Sequence, residues 1–130
     1  MASRIMYPIK HLNPEVVVIS GSFAPNGSSA IDATSNKGRG FSVAYTTTGK
    51  YTITLADAYA DILCCMATLQ LAATDDKILQ IRGAIDVTTA KTVVLEVRDI
   101  SGAAAADISA DAANRIHFVL FLQNSSLSVV

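Results

Sequence analysis

The amino-acid sequence predicts an all-β chain, folded as a single-domain antiparallel β-sandwich or jelly roll with an extended N-terminal arm. Short runs in which apolar and polar residues alternate recur along the chain, and they are rich in β-branched residues. Turn-forming residues separate these runs. The length of 130 residues fits one domain, and no internal repeat divides it. We therefore predict an arm at residues 1–13 and one β-sandwich domain at residues 14–130.

The composition is unusually poor in charge. Hydrophobic residues make up 51% of the chain and charged residues 16%, whereas charged residues usually reach about 25%. This excludes a disordered chain, which could not bury enough apolar surface to fold. The net charge is −1 without blocks of like charge, so we expect neither a nucleic acid nor a membrane as partner. We expect hydroxyl and amide side chains to coat part of the surface and another protein to cover the rest.

The first residues of the chain have an unusual pattern for a terminus. Tyr7-Pro8 and Asn13-Pro14 disfavour helix at both ends of the arm. A run without structure is normally polar, yet this one contains several apolar residues, which predicts that the arm docks on a neighbouring chain. A disordered terminus is the alternative. The arm residues expected at an interface are Ile5, Tyr7, Ile9 and Leu12.

The first half of the domain reads as a strand, a loop and a hairpin. We predict a strand at 15–23 and a turn-rich loop at 24–40. The hairpin at 40–55 has one apolar face and one face coated with hydroxyl groups, and Gly49 supplies the positive φ of its turn. Its apolar face consists of Phe41, Val43, Tyr45, Tyr51, Ile53 and Leu55.

Residues 61–73 are apolar on both faces, with Ile62, Cys64 and Met66 expected on one of them. This favours a strand, either central and covered on both sides or with an outer face that meets a neighbouring subunit. A helix is the rival prediction, since Ala, Leu and Met favour helices. A strand at 77–87 follows, in which Gly83 marks a bulge.

The last part of the chain contains two strands around an Ala- and Asp-rich segment. We predict a strand at 91–100 with Val93, Leu95 and Val97 inward and Glu96 and Arg98 outward. Residues 101–114 read as either a short helix or a mobile loop. In the final strand, 115–123, alternation places one set of side chains in the core, namely Ile116, Phe118, Leu120 and Leu122. The opposite face contains large apolar groups that should not sit in water, so the predicted interface there is His117, Val119 and Phe121.

No motif in the chain indicates catalysis, a cofactor or a metal. Gly49-Lys50 lacks the spacing of a phosphate-binding loop, and no Gly-x-Ser-x-Gly elbow accompanies His117. Cys64 and Cys65 are adjacent, and neighbouring residues of a strand point to opposite faces, so a disulfide between them is disfavoured. We expect no enzyme activity. The N-terminus lacks the apolar region of a secretory signal, which predicts that the protein is made and kept in the cytoplasm.

Four segments of the chain carry a resemblance to a known group of proteins. They are Gly40–Val43, Thr48–Leu55, Ala90–Val94 and Asn114–Phe118. Over residues 38–126 the chain resembles small structural proteins of tailed-phage virions, in particular head decoration (cement) proteins. The resemblance implies a β-rich homotrimer in the virion, assembled in the host cytoplasm and bound across neighbouring subunits of the major capsid protein. The alternative is a tail-fibre or baseplate module that binds a host receptor or another virion protein.

Overall fold

The computed structural model describes residues 16–102 and 104–124, and it shows two antiparallel sheets of four strands packed face to face. The predicted all-β sandwich is confirmed. The strands are β1 (Val16–Phe23), β2 (Lys37–Gly38), β3 (Phe41–Thr47), β4 (Lys50–Leu55), β5 (Asp61–Gln70), β6 (Lys77–Asp86), β7 (Thr92–Asp99) and β8 (Arg115–Gln123). One 3-10 turn, Ala33–Ser35, lies between β1 and β2. The described part of the chain contains no helix with the length and apolar character needed to cross a membrane.

The strand order determines which surfaces are free. Sheet A has the order β2-β1-β8-β5, and sheet B has the order β3-β4-β7-β6. The last strand of the chain, β8, therefore lies between β1 and β5 in sheet A. Strands β5 and β6 are edge strands of different sheets and lie beside each other at one flank of the sandwich.

The core forms where the inner faces of the two sheets meet. The predicted inward residues of β7 and β8 are all buried, which confirms the alternation read from the sequence. Phe118 of β8 makes an edge-to-face contact with Phe41 of β3, with ring centroids 4.8 Å apart. The other large fully buried side chains include Phe23, Tyr51, Ile53, Leu55 and Leu95.

The β3–β4 hairpin has the predicted two faces and the predicted turn. Gly49 has φ +68°, which confirms the left-handed conformation expected from the sequence. A side chain at this position would also collide with its surroundings, since a Cβ atom would lie 2.5 Å from the carbonyl oxygen of Val97. Gly83 has φ +71°, and the β6–β7 register shifts between Arg82 and Asp86, so the predicted bulge is confirmed as well.

A comparison of Gly27 with Gly49 separates the cost of a steric clash from the cost of backbone strain. Gly27 also has a positive φ, +60°, but a Cβ atom there would have nothing within 4 Å. We expect Gly27→Ala to lower the free energy of unfolding by about 1 kcal/mol, the cost of a left-handed non-glycine residue. Gly49→Ala should cost at least twice as much, because the β3–β4 turn must also move. Urea unfolding of both variants checks this, and equal losses would contradict the steric argument.

Residues 61–73 contain a strand, β5, so the alternative of a helix is wrong. The predicted central position, covered on both sides, is also wrong, because β5 lies at the edge of sheet A. A register shift between Ile62 and Cys64 inserts Leu63 as an extra residue. As a result Ile62 packs against the core with Cys65, and its predicted place beside Cys64 and Met66 is wrong.

The Ala- and Asp-rich segment 101–114, described except for Ala103, forms no helix in its described residues. It crosses one end of the sandwich, where Ile108 is buried in the core. Asp107 anchors the segment to the hairpin: it accepts hydrogen bonds from the backbone N–H of Gly49 at 2.7 Å and from the Tyr45 hydroxyl at 3.1 Å. The predicted loop at 24–40 likewise contains short regular elements, the 3-10 turn and β2.

Candidate protein-binding surface

The outer face of sheet A carries apolar side chains that no other described element of the fold covers. Residues directly opposite each other in antiparallel strands share a face. The register therefore places Val18 and Cys64 on either side of Phe121, and Ser20 and Met66 on either side of Val119. We call this set the sheet A patch: Val18, Cys64, Met66, Val119 and Phe121.

The side chains of the sheet A patch remain open to solvent in the single chain. Val18 is 44% exposed and Met66 is 52% exposed, both high values for large apolar groups. Val119 and Phe121 are half-buried because each is flanked by the neighbouring strands β1 and β5. A shallow depression of about 310 Å³ lies between β5 and β8, lined by Met66, Thr68, His117 and Val119 among others. The sheet A patch thus combines exposed apolar side chains with a shallow depression into which a side chain of a partner could pack.

One end of the patch is polar and ordered by hydrogen bonds. Arg115 donates to the Ser22 hydroxyl at 3.0 Å and to the carbonyl oxygen of Ser35 at 2.6 Å. His117 Nε2 lies 2.8 Å from Gln70 Oε1 on the neighbouring strand. An apolar centre beside a polar margin is the usual arrangement of a protein–protein interface.

The outer face of sheet B is different in character. Its β3 and β4 side chains are largely hydroxyls, and the Thr46 and Thr52 hydroxyls are 2.7 Å apart. Glu96 points outward on β7, as predicted, but it is only 2% exposed because guanidinium groups cover it. Arg98 lies 3.0 Å and Arg82 3.1 Å from its carboxylate oxygens. Sheet B also exposes Ile78 on the outer side of β6, but its β3 and β4 strands are coated with polar groups, whereas on sheet A apolar side chains lie side by side on neighbouring strands.

Chemically reactive groups on the described residues are scattered. No group of three or more His, Cys, Asp or Glu side chains on the described residues is placed to hold a metal ion. Both cysteines are free thiols. Burial, with a smaller contribution from the adjacent Cys64, raises the pKa of the Cys65 thiol to about 11, so this thiol is protonated at neutral pH and a poor nucleophile. Burial likewise raises the pKa of Tyr51 to about 12.

The structure brings together one of the two predicted groups of interface residues. His117, Val119 and Phe121 lie in a row along the outer side of β8, with the two apolar residues in the patch. The predicted arm residues Ile5, Tyr7, Ile9 and Leu12 lie outside the described residues. Val18 was missed, because a run of three valines does not reveal which one faces outward. Only the pairing of Val18 with Phe121 shows it.

No family model, curated protein or solved structure matches this chain. The chemistry of the sheet A patch is what remains to indicate which kind of ligand it suits. Its side chains are apolar or uncharged, and a carbohydrate or nucleotide site would instead present convergent polar groups or charges.

Proposed function

We propose that this chain is a structural protein that assembles with other protein chains through the outer face of sheet A. The observation that carries the proposal is the sheet A patch, a contiguous apolar surface on a chain with few charges. Contiguous exposed apolar patches on folded domains commonly mark interaction sites. Phe121 and Val119 at its centre would be the anchors, and the polar groups around Arg115 would lie at the margin.

Within that role, the specific function we propose is capsid decoration: an oligomer that stabilises a phage head by binding neighbouring subunits of the major capsid protein. The support is the resemblance to decoration proteins over residues 38–126, together with the all-β architecture and the apolar face. The assembled virion would be its location.

Attachment to phage shells tests this function. Shells assembled from the major capsid protein of the same genome should retain the purified chain on sedimentation, in proportion to the number of capsid subunits. Val119→Asp should weaken retention of the chain on the shells at least about tenfold, because binding would bury the new carboxylate without a partner of opposite charge. Thr52→Asp is the matched control, since Thr52 lies on the outer face of sheet B. Binding of a few copies per particle would instead indicate a fibre or baseplate module.

The predicted arm can be tested in the same assay. Deletion of residues 2–12 should leave the circular dichroism spectrum unchanged and weaken retention on the shells. Equal retention of the truncated and full chains would exclude a role for the arm in attachment.

A further inference from the structure

The free edge of β5 is the feature that the proposed function leaves unused. Among the described strands, β5 pairs only with β8, so the backbone groups along its other side have no strand partner there. It is ten residues long, and residues 62–70 contain neither a charged residue nor a proline. Proteins normally protect such edges with charges, prolines, bulges or short strands, because an open edge templates pairing with another chain.

The other three edges have those protections. Strand β2 has only two residues. Strand β6 carries Lys77 and Arg82 and is distorted at Gly83. Strand β3 is interrupted by a register shift between Tyr45 and Thr47, and its outer face carries hydroxyl groups. On β5 the bulge at Leu63 protects only the first residues, which leaves Cys64–Gln70 regular and open.

The exposed apolar side chains concentrate at the same flank. Of the six large hydrophobic residues that are exposed among the described residues, four belong to β5 and β6. These four are Leu63, Met66, Ile78 and Ile81. Ile81 pairs with the core residue Leu95, so it occupies an inward position and is exposed only because the flank is open. An unpaired backbone edge and exposed apolar side chains thus lie together at one flank of the sandwich, where a partner strand would cover both.

We propose that β5 pairs antiparallel with β5 of a second copy of this chain, about a two-fold axis perpendicular to sheet A. A second copy fits because the edge is uncharged, so pairing it with itself brings no like charges together. A charged partner strand would have no opposite charges to pair with on residues 62–70 of β5. The regular run Cys64–Gln70 is centred on Ala67, which places Met66 of one copy opposite Thr68 of the other.

This pairing joins the two copies into a continuous eight-stranded sheet. Both sheet A patches then lie on the same side, and Cys64 and Met66 extend each patch toward its copy. The inference deepens the proposed function by doubling the binding face, but the pairing itself does not depend on what that face binds. A two-fold axis gives a dimer, in contrast to the trimer that the resemblance implies.

Sedimentation of the full-length chain tests the pairing. The unmodified protein should be a dimer at micromolar concentration. Met66→Lys with Thr68→Lys places lysines opposite each other at both symmetric positions, and should weaken dimerisation about tenfold or more. Met66→Lys with Thr68→Glu places opposite charges together and should restore the dimer. The matched control is Ser42→Lys with Ala44→Lys, on the outer face of β3, an edge strand of sheet B, and this variant should remain dimeric.

The outcomes separate this inference from the proposed function. A monomer or a trimer of the unmodified protein would overturn the β5 pairing, including the case in which residues 1–13 of the same chain cover the edge. A doubly lysine-substituted protein that stays dimeric would overturn it too, and a lysine–glutamate variant that stays monomeric would overturn the antiparallel register. An unmodified protein that is monomeric but still retained on capsid shells would refute the edge pairing and leave the proposed function standing. An unmodified dimer that the shells do not retain would refute the proposed function and leave the pairing standing.

Discussion

Phe118→Asp is expected to prevent folding, whereas Phe121→Asp, three residues further along the same strand, is expected to leave the fold intact. The Phe118 ring is 4% exposed and packs against Phe41. Removing a buried ring costs about 3–5 kcal/mol, and an unpaired buried carboxylate adds several more. That total is comparable to the whole stability of a typical domain, about 5–15 kcal/mol. Phe121 instead lies on the outer side of β8, where a carboxylate reaches water.

Far-ultraviolet circular dichroism and sedimentation together check this pair. Phe121→Asp should retain the β-sheet spectrum and lose retention on capsid shells, since its charge would be buried at the contact. Phe118→Asp should be recovered unfolded or aggregated. If both variants lose secondary structure to the same extent, the outer side of β8 is part of a folding core and the sheet A patch is not a docking surface.

Asp107→Ala is expected to release segment 104–114 from the hairpin and to lower the free energy of unfolding by about 2–4 kcal/mol. Its carboxylate accepts from the Gly49 N–H and from the Tyr45 hydroxyl, and a hydrogen bond to a charged group contributes about 1.5–3 kcal/mol. The same segment donates from the N–H of Ala106 to the carbonyl of Val97 and inserts Ile108 into the core. Losing the anchor therefore loosens several contacts together.

A second aspartate in the same segment provides the control. Asp111 is exposed and accepts a hydrogen bond only two residues away, from the N–H of Ala113. Asp111→Ala should cost less than about 1 kcal/mol. Asp107→Asn keeps an acceptor oxygen and should fall between the two alanine variants. Chemical unfolding gives all three values, and an Asp107→Ala loss no larger than that of Asp111→Ala would show that the anchor contributes little.

The sequence by itself determined the all-β class, the hairpin with its glycine turn and the two faces of β7 and β8. These features are local. Alternation with a period of two assigns side chains to faces whatever the partner strand is, and a positive φ at Gly49 follows from the length of the turn. Val119 and Phe121 could be identified as outward apolar residues for the same reason.

Only the tertiary structure decided which strands lie at the edges, and with them the composition of the exposed surface. The apolar run at 61–73 is compatible both with a buried central strand and with an open edge strand. The periodicity of a sequence shows which face a side chain lies on, but it does not show which strands lie beside it. The bulge at Leu63 places Ile62 on the opposite face from the one predicted. Asp107 accepts hydrogen bonds from Gly49 and Tyr45, which lie 58 and 62 residues away in the chain. Such long-range pairings depend on how the two sheets close over the core, so no local pattern in the chain encodes them.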